Sequence, residues 1–175
     1  MSIKLIKEIS DKQRIWRNSP EVMAYTRGSE LLSEKDQERW LERIENDKSI
    51  QMFGIQLTDM TADAIEFREN VGTCGLCSIS MIHRTAEWSL LIGPEYQGKG
   101  YATEAFRLLL NYGFNQIGLQ RIWGEIFVNN EASKHIAEKF GFKEEGRLRK
   151  TYFKNGEYTD SIIVGLLREE WNQKD

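Results

Sequence analysis

Hydrophobic and polar positions follow two different spacings along the chain, and each spacing predicts a type of secondary structure. Apolar residues at every third or fourth position, such as Phe106, Leu109 and Leu110, predict a helix over residues 102–117 that stops near Gly118. The same spacing and typical capping residues predict three further helices: one that begins near Ser33, one over residues 11–18 before the turn Ser19-Pro20, and one over residues 131–140 closed by Gly141.

The strands are predicted by runs of β-branched, aromatic and small residues that lie between polar turns. In chain order they cover residues 3–9, 51–57, 71–81, 86–92, 121–128, 142–152 and 158–167. A loop is expected over residues 59–70, and a tight turn over residues 154–157 joins the last two strands. The elements together predict an α+β domain with one central mixed sheet.

Composition supports a single domain of ordinary type. The 175 residues include 40% hydrophobic and 29% charged residues, which is typical of a globular chain that forms a core without disulfides. With two prolines and no Ser/Gly-rich linker, residues 1–175 are expected to form one domain. The longest apolar stretches are far shorter than the roughly 20 residues of a spanning helix, and the start of the chain lacks the apolar segment of a secretory signal. We therefore expect no membrane association and a cytoplasmic location.

The charge balance argues against nucleic-acid binding. The chain has 24 Lys+Arg and 27 Asp+Glu, a formal charge of −3, which mildly favours a cationic small substrate. The candidate nucleic-acid surface consists of cations interrupted by glutamates: Lys143, Arg147, Arg149, Lys150 and Lys154 among Glu144, Glu145 and Glu157.

Neither the histidines nor the cysteines predict a metal or redox centre. His83 and His135 have no Cys or Asp at ligand spacing, so no metal is expected. Cys74 and Cys77 have the spacing of a redox pair, but on a strand residues three apart point to opposite faces. Buried, inert thiols are the expected state.

The segment between the fourth predicted strand and the long helix predicts an anion site. There Gly98 and Gly100 allow close approach of the main chain, and the helix N-terminus directs free N–H groups and a partial positive charge at one point. It is not a Walker loop, because that motif needs a serine or threonine after the lysine, and here Gly100 follows Lys99. It is not a dinucleotide fingerprint either, because Thr103 stands where a third glycine or alanine is needed.

The spacing Gln-x-x-Gly-x-Ala, from Gln97 to Ala102, resembles the acetyl-coenzyme A loop of the GNAT superfamily of N-acetyltransferases. Further segments of the chain resemble its branch of ribosomal-protein N-terminal, spermidine and amino-sugar acetyltransferases: residues 16–22, 82–87, 128–133 and 141–146. The resemblance implies a mostly antiparallel sheet of about seven strands, splayed between strands 4 and 5 and flanked by about four helices. It also implies transfer of an acetyl group from acetyl-CoA to a primary amine by direct attack. Homodimers are common in that superfamily.

The resemblance also assigns cofactor-binding residues. The main-chain groups of Leu91 and Ile92 would pair with the pantetheine arm, the Ile92 amide would stabilise the oxyanion, and Asn130 would bind the arm from the other side. The amides that would hold the pyrophosphate belong to Gln97, Gly98, Lys99, Gly100, Tyr101 and Ala102.

The sequence leaves more than one role open for each candidate catalytic side chain. Glu87 stands about where another branch has its general base, and it could equally be a cross-strand pairing glutamate. Ala137 occupies the position where many members have a tyrosine that protonates the departing sulfur. Ser133 and Tyr152 are substitutes, as is solvent; Ser133 could instead cap its helix, and Tyr152 could line the core or the substrate site. Trp88 is interpreted as core or substrate wall.

The acceptor is expected to be set by residues 18–50 and the final hairpin. Acidic residues there would attract a polyamine, an amino sugar, an aminoglycoside or a basic N-terminal peptide alike: Glu21, Glu30, Glu34 and Asp36. The alternative to an enzyme is a non-catalytic regulatory module that binds coenzyme A, and it is motivated by Ala137.

Overall fold

The computed structural model describes residues 2–58 and 69–171. Seven strands and five α-helices follow one another in this part of the chain: β1 (Ser2–Ile6), α1 (Lys12–Arg17), α2 (Pro20–Met23), α3 (Glu34–Asn46), β2 (Gln51–Thr58), β3 (Glu69–Ser80), β4 (Thr85–Ile92), α4 (Tyr101–Asn111), β5 (Arg121–Phe127), α5 (Glu131–Lys139), β6 (Lys143–Lys154) and β7 (Glu157–Leu167).

The strands form one sheet in the order β1-β2-β3-β4-β5-β7-β6. Neighbouring strands are antiparallel except β4 and β5, which are parallel. Parallel neighbours need a long crossover connection, and here α4 lies within it. The predicted α+β class and the mixed, mostly antiparallel sheet of seven strands are confirmed.

The sheet opens between β4 and β5. Paired positions run only from Thr85 opposite Arg121 to Glu87 opposite Trp123, although both strands continue beyond that point. The predicted splay between the fourth and fifth strands is therefore confirmed, and it begins directly after Glu87.

A tryptophan packs beside the point where the strands separate. The Trp88 indole lies against Gly124 of β5, where an added Cβ would come within 2.2 Å of Nε1. The same ring packs edge-on against Phe106 of α4, with ring centroids 5.0 Å apart. Gly124 thus provides the space that lets a large side chain from β4 reach across to β5.

The main core lies between α4 and one face of the sheet. Ala105, Phe106, Leu109 and Leu110 of α4 are fully buried. Each large apolar side chain buried in this way contributes about 1.5–3 kcal/mol. The apolar spacing that predicted the long helix therefore marks its buried face.

The helices differ from the predictions in two places. After α4, the chain continues in a π-helical turn, Tyr112–Gln116, so the single predicted helix has two geometries. A turn was predicted at Ser19-Pro20, but the short helix α2 begins there at Pro20, because proline is compatible with a first helical position. The structure consequently has five α-helices within the described residues, against about four predicted.

The predicted loop over residues 59–70 can be compared with the structure only at its last two residues, because residues 59–68 lie outside the described residues. Its last two residues, Glu69 and Asn70, belong to β3. At the other end of the sheet, β1 ends at Ile6 rather than at residue 9. No helix in the described part of the chain has the length and apolar character needed to cross a membrane.

Candidate active site

The loop before α4 presents main-chain groups to open space. Gly98 and Gly100 adopt positive φ angles of 74° and 82°, and an added Cβ at either would meet nothing within 4 Å. Gly100 is the N-cap of α4, and no side chain caps the helix. The N–H groups of the first turn are consequently free for an anion at the positive end of the helix dipole.

Aromatic packing fixes the base of this loop. The Trp16 indole covers Gly93, and its Nε1 donates to Glu95 Oε1 at 3.1 Å. Tyr96 packs edge-on against Trp16 and donates its hydroxyl to Glu69, a hydrogen bond that raises the pKa of Tyr96. These contacts hold the turn that precedes Gly98 and Gly100.

Lys99 does not extend away from the loop. Its Nζ donates to the main-chain oxygen of Glu95 at 3.1 Å and lies 5.5 Å from the centroid of the Tyr96 ring. The positive charge therefore lies back over the turn, beside the uncapped helix end.

The register of β3 and β4 decides which main-chain groups face the gap. Gly93 N donates to Val71 O at 2.9 Å, and N–H and C=O groups on a strand alternate between its two edges. The groups of Leu91 thus face Thr73 on β3, whereas those of Ile92 face the opening towards β5. This corrects the expectation for Leu91: its main chain belongs to the sheet, and the second open position is Leu90.

A side chain of the glycine loop contacts one of these open positions. Gln97 Nε2 donates to the main-chain oxygen of Ile92 at 3.3 Å. The predicted loop residue and the predicted strand residue are therefore adjacent at the mouth of the gap.

Asn130 lies at the same edge of the sheet as the loop before α4, because β4 and β5 are parallel and both run towards that edge. Its Oδ1 accepts from the Ser133 main-chain N–H at 3.1 Å and caps α5. This leaves the Asn130 Nδ2 as the donor available to a ligand. The cap is thus made by Asn130, and Ser133 takes part through its main chain rather than its hydroxyl.

Ala137 is a core position. Its exposed fraction is 2%, and it belongs to the same apolar cluster as Phe142. The Trp88 ring packs towards Phe142, with centroids 6.4 Å apart. The position at which the resemblance implies a tyrosine in many members is thus occupied here by a small, buried core residue.

A cluster of charges covers the opposite face of the sheet at the start of the gap. Glu87 on β4 and Glu125 on β5 share the guanidinium of Arg27, which bonds Glu87 and lies 3.3 Å from Glu125 Oε2. The carboxylate side chains are 13% and 11% exposed, against 46% for Arg27. Burial by itself would lower the pKa of Arg27, but the hydrogen bond and charge of Glu87 outweigh it and the pKa is raised.

Glu125 also accepts two hydroxyl donors. Tyr152 OH donates to Oε2 at 3.0 Å, and Ser161 Oγ donates to Oε1 at 2.5 Å. Burial, followed by the hydrogen bond to Glu125, raises the pKa of Tyr152. Tyr152 is thus linked to Glu87 indirectly: it bonds Glu125, and Arg27 pairs with both carboxylates.

Two clefts, of about 300 and 320 Å³, lie beside this cluster. The first is lined by Leu90 and Leu91 at the gap, and Arg17 and Thr26 line both clefts. Burial lowers the pKa of Arg17. The first cleft thus lies over β2, β3 and β4, and the second is lined mainly by the segment between α2 and α3.

The predicted acidic residues are dispersed. Glu30 lines the second cleft, whereas Glu34 pairs with Arg14 at 3.2 Å and Asp36 forms a capping box with Ser33. Glu21 is exposed on α2. Of these four residues, Glu30 alone lines a cleft, and the carboxylates at the start of the gap are those of Glu87 and Glu125 on the strands.

The structure assigns no role in this site to the cysteines or the histidines. Cys74 is buried in the core, where desolvation raises its pKa to about 12, and Cys77 is half-buried beside the first cleft. Within residues 2–58 and 69–171, no group of three or more His, Cys, Asp or Glu side chains could hold a metal.

Sequence reasoning missed Glu125 and Arg27. A signal existed for Glu125, because it is a charged residue in the interior of an apolar predicted strand. Arg27 carried no comparable signal, since it lies in an irregular segment and meets both carboxylates only through the fold.

Comparison with known proteins identifies the family. A model of the acetyltransferase (GNAT) domain matches residues 6–143. Spermidine N(1)-acetyltransferase of Escherichia coli K12 is 38% identical over 103 residues, 59% of this chain and 55% of that protein. A Bacillus subtilis protein provisionally named ribosomal N-acetyltransferase YdaF is 37% identical over 101 residues, 56% of this chain and 55% of that protein. The chain thus aligns with little more than half the length of these relatives.

A solved structure covers more of the chain. Spermidine N-acetyltransferase from Vibrio cholerae, in complex with CoA and spermine, superimposes with a TM-score of 0.84 at 27% identity. The superposition covers 97% of both chains.

Proposed function

Because this chain belongs to the GNAT acetyltransferase family, we propose that it transfers the acetyl group of acetyl-CoA to a primary amine. The observation that carries the proposal is the gap between β4 and β5, which opens beside the uncapped N-terminus of α4. An anion site and a strand edge with open hydrogen-bonding groups are what a pyrophosphate and an attached amide-containing arm require.

Acetyl-CoA fits this arrangement as a cosubstrate. Its pyrophosphate binds the main-chain amides of residues 97–102, and its pantetheine arm runs along β4. Leu90 and Ile92 provide the hydrogen-bonding groups on one side of the arm, and the Nδ2 of Asn130 donates from the other. Residues 87–92 of β4 span about 17 Å, a length comparable to the extended arm. The thioester then lies near Glu87.

The chemistry requires a neutral amine, an oxyanion donor and a departing thiolate. Glu87 accepts a proton from the acceptor's ammonium, and the nitrogen lone pair attacks the thioester carbonyl carbon. Ile92, whose amide the resemblance assigns to the oxyanion, lies at the pyrophosphate end of this path. The open N–H of Leu90, nearer the thioester, therefore stabilises the negative oxygen of the tetrahedral intermediate. The C–S bond then breaks and the sulfur leaves with the bonding pair.

The proton for the departing sulfur has three possible sources, namely Ser133, Tyr152 and solvent. The hydroxyl of Tyr152 is already donated to Glu125 and its pKa is raised, which favours the other two. An ordinary thiol has a pKa of about 8.5, so coenzyme A can also leave as the thiolate and take its proton from water.

The proposed acceptor is a polyamine. The support is the pair of carboxylates, Glu87 and Glu125, beside the gap, together with the spermidine acetyltransferases among the similar proteins. An amino sugar, an aminoglycoside and a basic N-terminal peptide are the competing acceptors.

A non-catalytic module that binds coenzyme A is the second candidate, and the observation that favours it is Ala137. Without the usual phenol, the donor site could persist with no efficient proton transfer to sulfur.

Release of the coenzyme A thiol, measured with a panel of amines, separates the two candidates. The proposal predicts turnover with spermidine and weaker turnover with monoamines and amino sugars. Tight binding of acetyl-CoA with no thiol release on any amine would instead establish the module. The single domain over residues 1–175 and the homodimer stay predictions, and light scattering on the purified chain measures the oligomer.

A further inference from the structure

Arg27 occupies the place that a cationic acceptor needs. We propose that Arg27 is an internal competitor for the acceptor site, so that an acceptor binds only if its own positive charge replaces the guanidinium between Glu87 and Glu125. The inference rests on the proposed function, because it concerns specificity in the same site. Arg27 would therefore be a specificity-determining residue rather than a catalytic one.

The position of Arg27 is the first support. Its guanidinium bonds Glu87 and lies 3.3 Å from Glu125 Oε2. These carboxylates stand on the two strands that separate directly after Glu87. An amine that attacks a thioester in the gap has to approach Glu87, and the guanidinium is in its way.

The unequal exposure of the three groups is the second support. Arg27 has a side chain 46% exposed, whereas those of Glu87 and Glu125 are 13% and 11% exposed. The guanidinium can return to water at low cost, but two poorly hydrated carboxylates cannot lose their cation without a penalty. The exchange is favourable when another cation enters, and a neutral ligand does not provide one.

The segment that carries Arg27 is held on both sides of it. Lys154 Nζ donates to main-chain oxygens before and after Arg27, those of Met23 at 3.5 Å and Gly28 at 2.5 Å. The Asn18 side chain closes the segment by bonding both the N–H and the C=O of Leu32 at 2.8 Å. Displacement therefore requires only a rotation of the Arg27 side chain. The second cleft, which Arg27 itself lines, provides about 320 Å³ for it.

After the displacement, Glu87 and Glu125 would have different hydrogen-bond partners. Glu125 retains the hydroxyls of Tyr152 and Ser161. Glu87 exchanges the guanidinium for the acceptor's ammonium and can then take up its proton. The same exchange that admits the acceptor thus frees the proposed base.

The test compares spermidine binding, by calorimetry, to the parent protein and to Arg27→Gln. We expect Arg27→Gln to bind spermidine about tenfold more tightly, the effect of removing one half-exposed charged competitor. Arg27→Lys keeps the charge and should bind close to the parent. Arg14→Gln is the matched control, because it removes an arginine ion pair to Glu34 on the nearby surface. Its affinity should be unchanged.

A small cation provides a second measurement. Guanidinium chloride at low millimolar concentration should compete with spermidine for Arg27→Gln, because no guanidinium group of the protein then lies between Glu87 and Glu125. At matched ionic strength, it should compete much less in the parent. Equal or weaker spermidine binding by Arg27→Gln, or no binding at all, would overturn the inference, since Arg27 would then be holding the carboxylates in position.

Thiol release distinguishes this inference from the proposed function. If Arg27→Gln binds spermidine more tightly but no amine releases thiol, the inference stands and the catalytic proposal fails. If the parent acetylates spermidine and Arg27→Gln leaves KM unchanged, the catalytic proposal stands and the inference fails. The inference predicts a lower KM with kcat unchanged.

Discussion

Replacing Gly124 by alanine tests how the gap in the sheet is packed. The added methyl would lie 2.2 Å from Nε1 and 2.5 Å from Cε2 of Trp88, far inside contact distance. The indole has little room to withdraw, because it packs edge-on against Phe106 with centroids 5.0 Å apart. Among the described residues Trp88 Nε1 has no hydrogen-bond partner, so packing alone holds the ring.

The expected cost follows from these contacts. Overpacking a core costs about 1–3 kcal/mol, and swinging the ring away would lose an aromatic pair worth about 0.5–1.5 kcal/mol. We expect Gly124→Ala to lower the free energy of unfolding by about 2–3 kcal/mol. A domain with a stability of about 5–15 kcal/mol remains folded after such a loss.

Urea unfolding measures this loss as a lower midpoint with an unchanged slope. Gly146→Ala is the matched control, because an added Cβ on this β6 glycine meets nothing within 4 Å. It should change stability by less than about 0.5 kcal/mol. Trp88→Leu removes the ring atoms that the methyl meets, so the two substitutions should couple by about 1 kcal/mol or more. Additive effects, or a Gly124→Ala protein as stable as the parent, would refute the packing argument.

Two further predictions concern carboxylates. Glu87→Gln should lower turnover at neutral pH and recover as pH rises, because a deprotonated amine needs no base; a profile parallel to that of the parent would remove Glu87 from this role. The hydrogen bonds from Ser33 lower the pKa of Asp36 below its ordinary 3.8, so its stabilisation is present above about pH 4 and is lost as pH falls through the folded-state pKa. The stability difference between the parent and Asp36→Ala should therefore shrink in acid, and a difference independent of pH would contradict the capping box.

The fold could be predicted where local signals agree. The apolar positions of α4 mark its buried face, and Gly141 after α5 has the predicted positive φ, 82°. The short α2 escaped prediction because one turn beginning at proline looks the same in sequence as a simple reversal.

The site was predictable only in part, because its remaining features depend on register and on distant contacts. Leu90 rather than Leu91 faces the gap because of the pairing of β4 with β3, which apolar spacing does not reveal. Arg27 is 60 positions from Glu87 in sequence, and only the fold brings them together. The glycine loop, in contrast, is a local motif and carries its own geometry.

The most direct test of the central claim, that the loop before α4 binds the pyrophosphate of acetyl-CoA, is a calorimetric titration of Gly100→Trp against Gly156→Trp. Both glycines have similar positive φ angles, 82° and 85°, and open space around an added Cβ, so the backbone strain is matched. Gly156 lies in the turn between β6 and β7 and is not part of the loop before α4. Gly100→Trp should weaken acetyl-CoA binding at least about a hundredfold, while Gly156→Trp stays within about threefold of the parent. Equal affinities in the two variants would contradict the account.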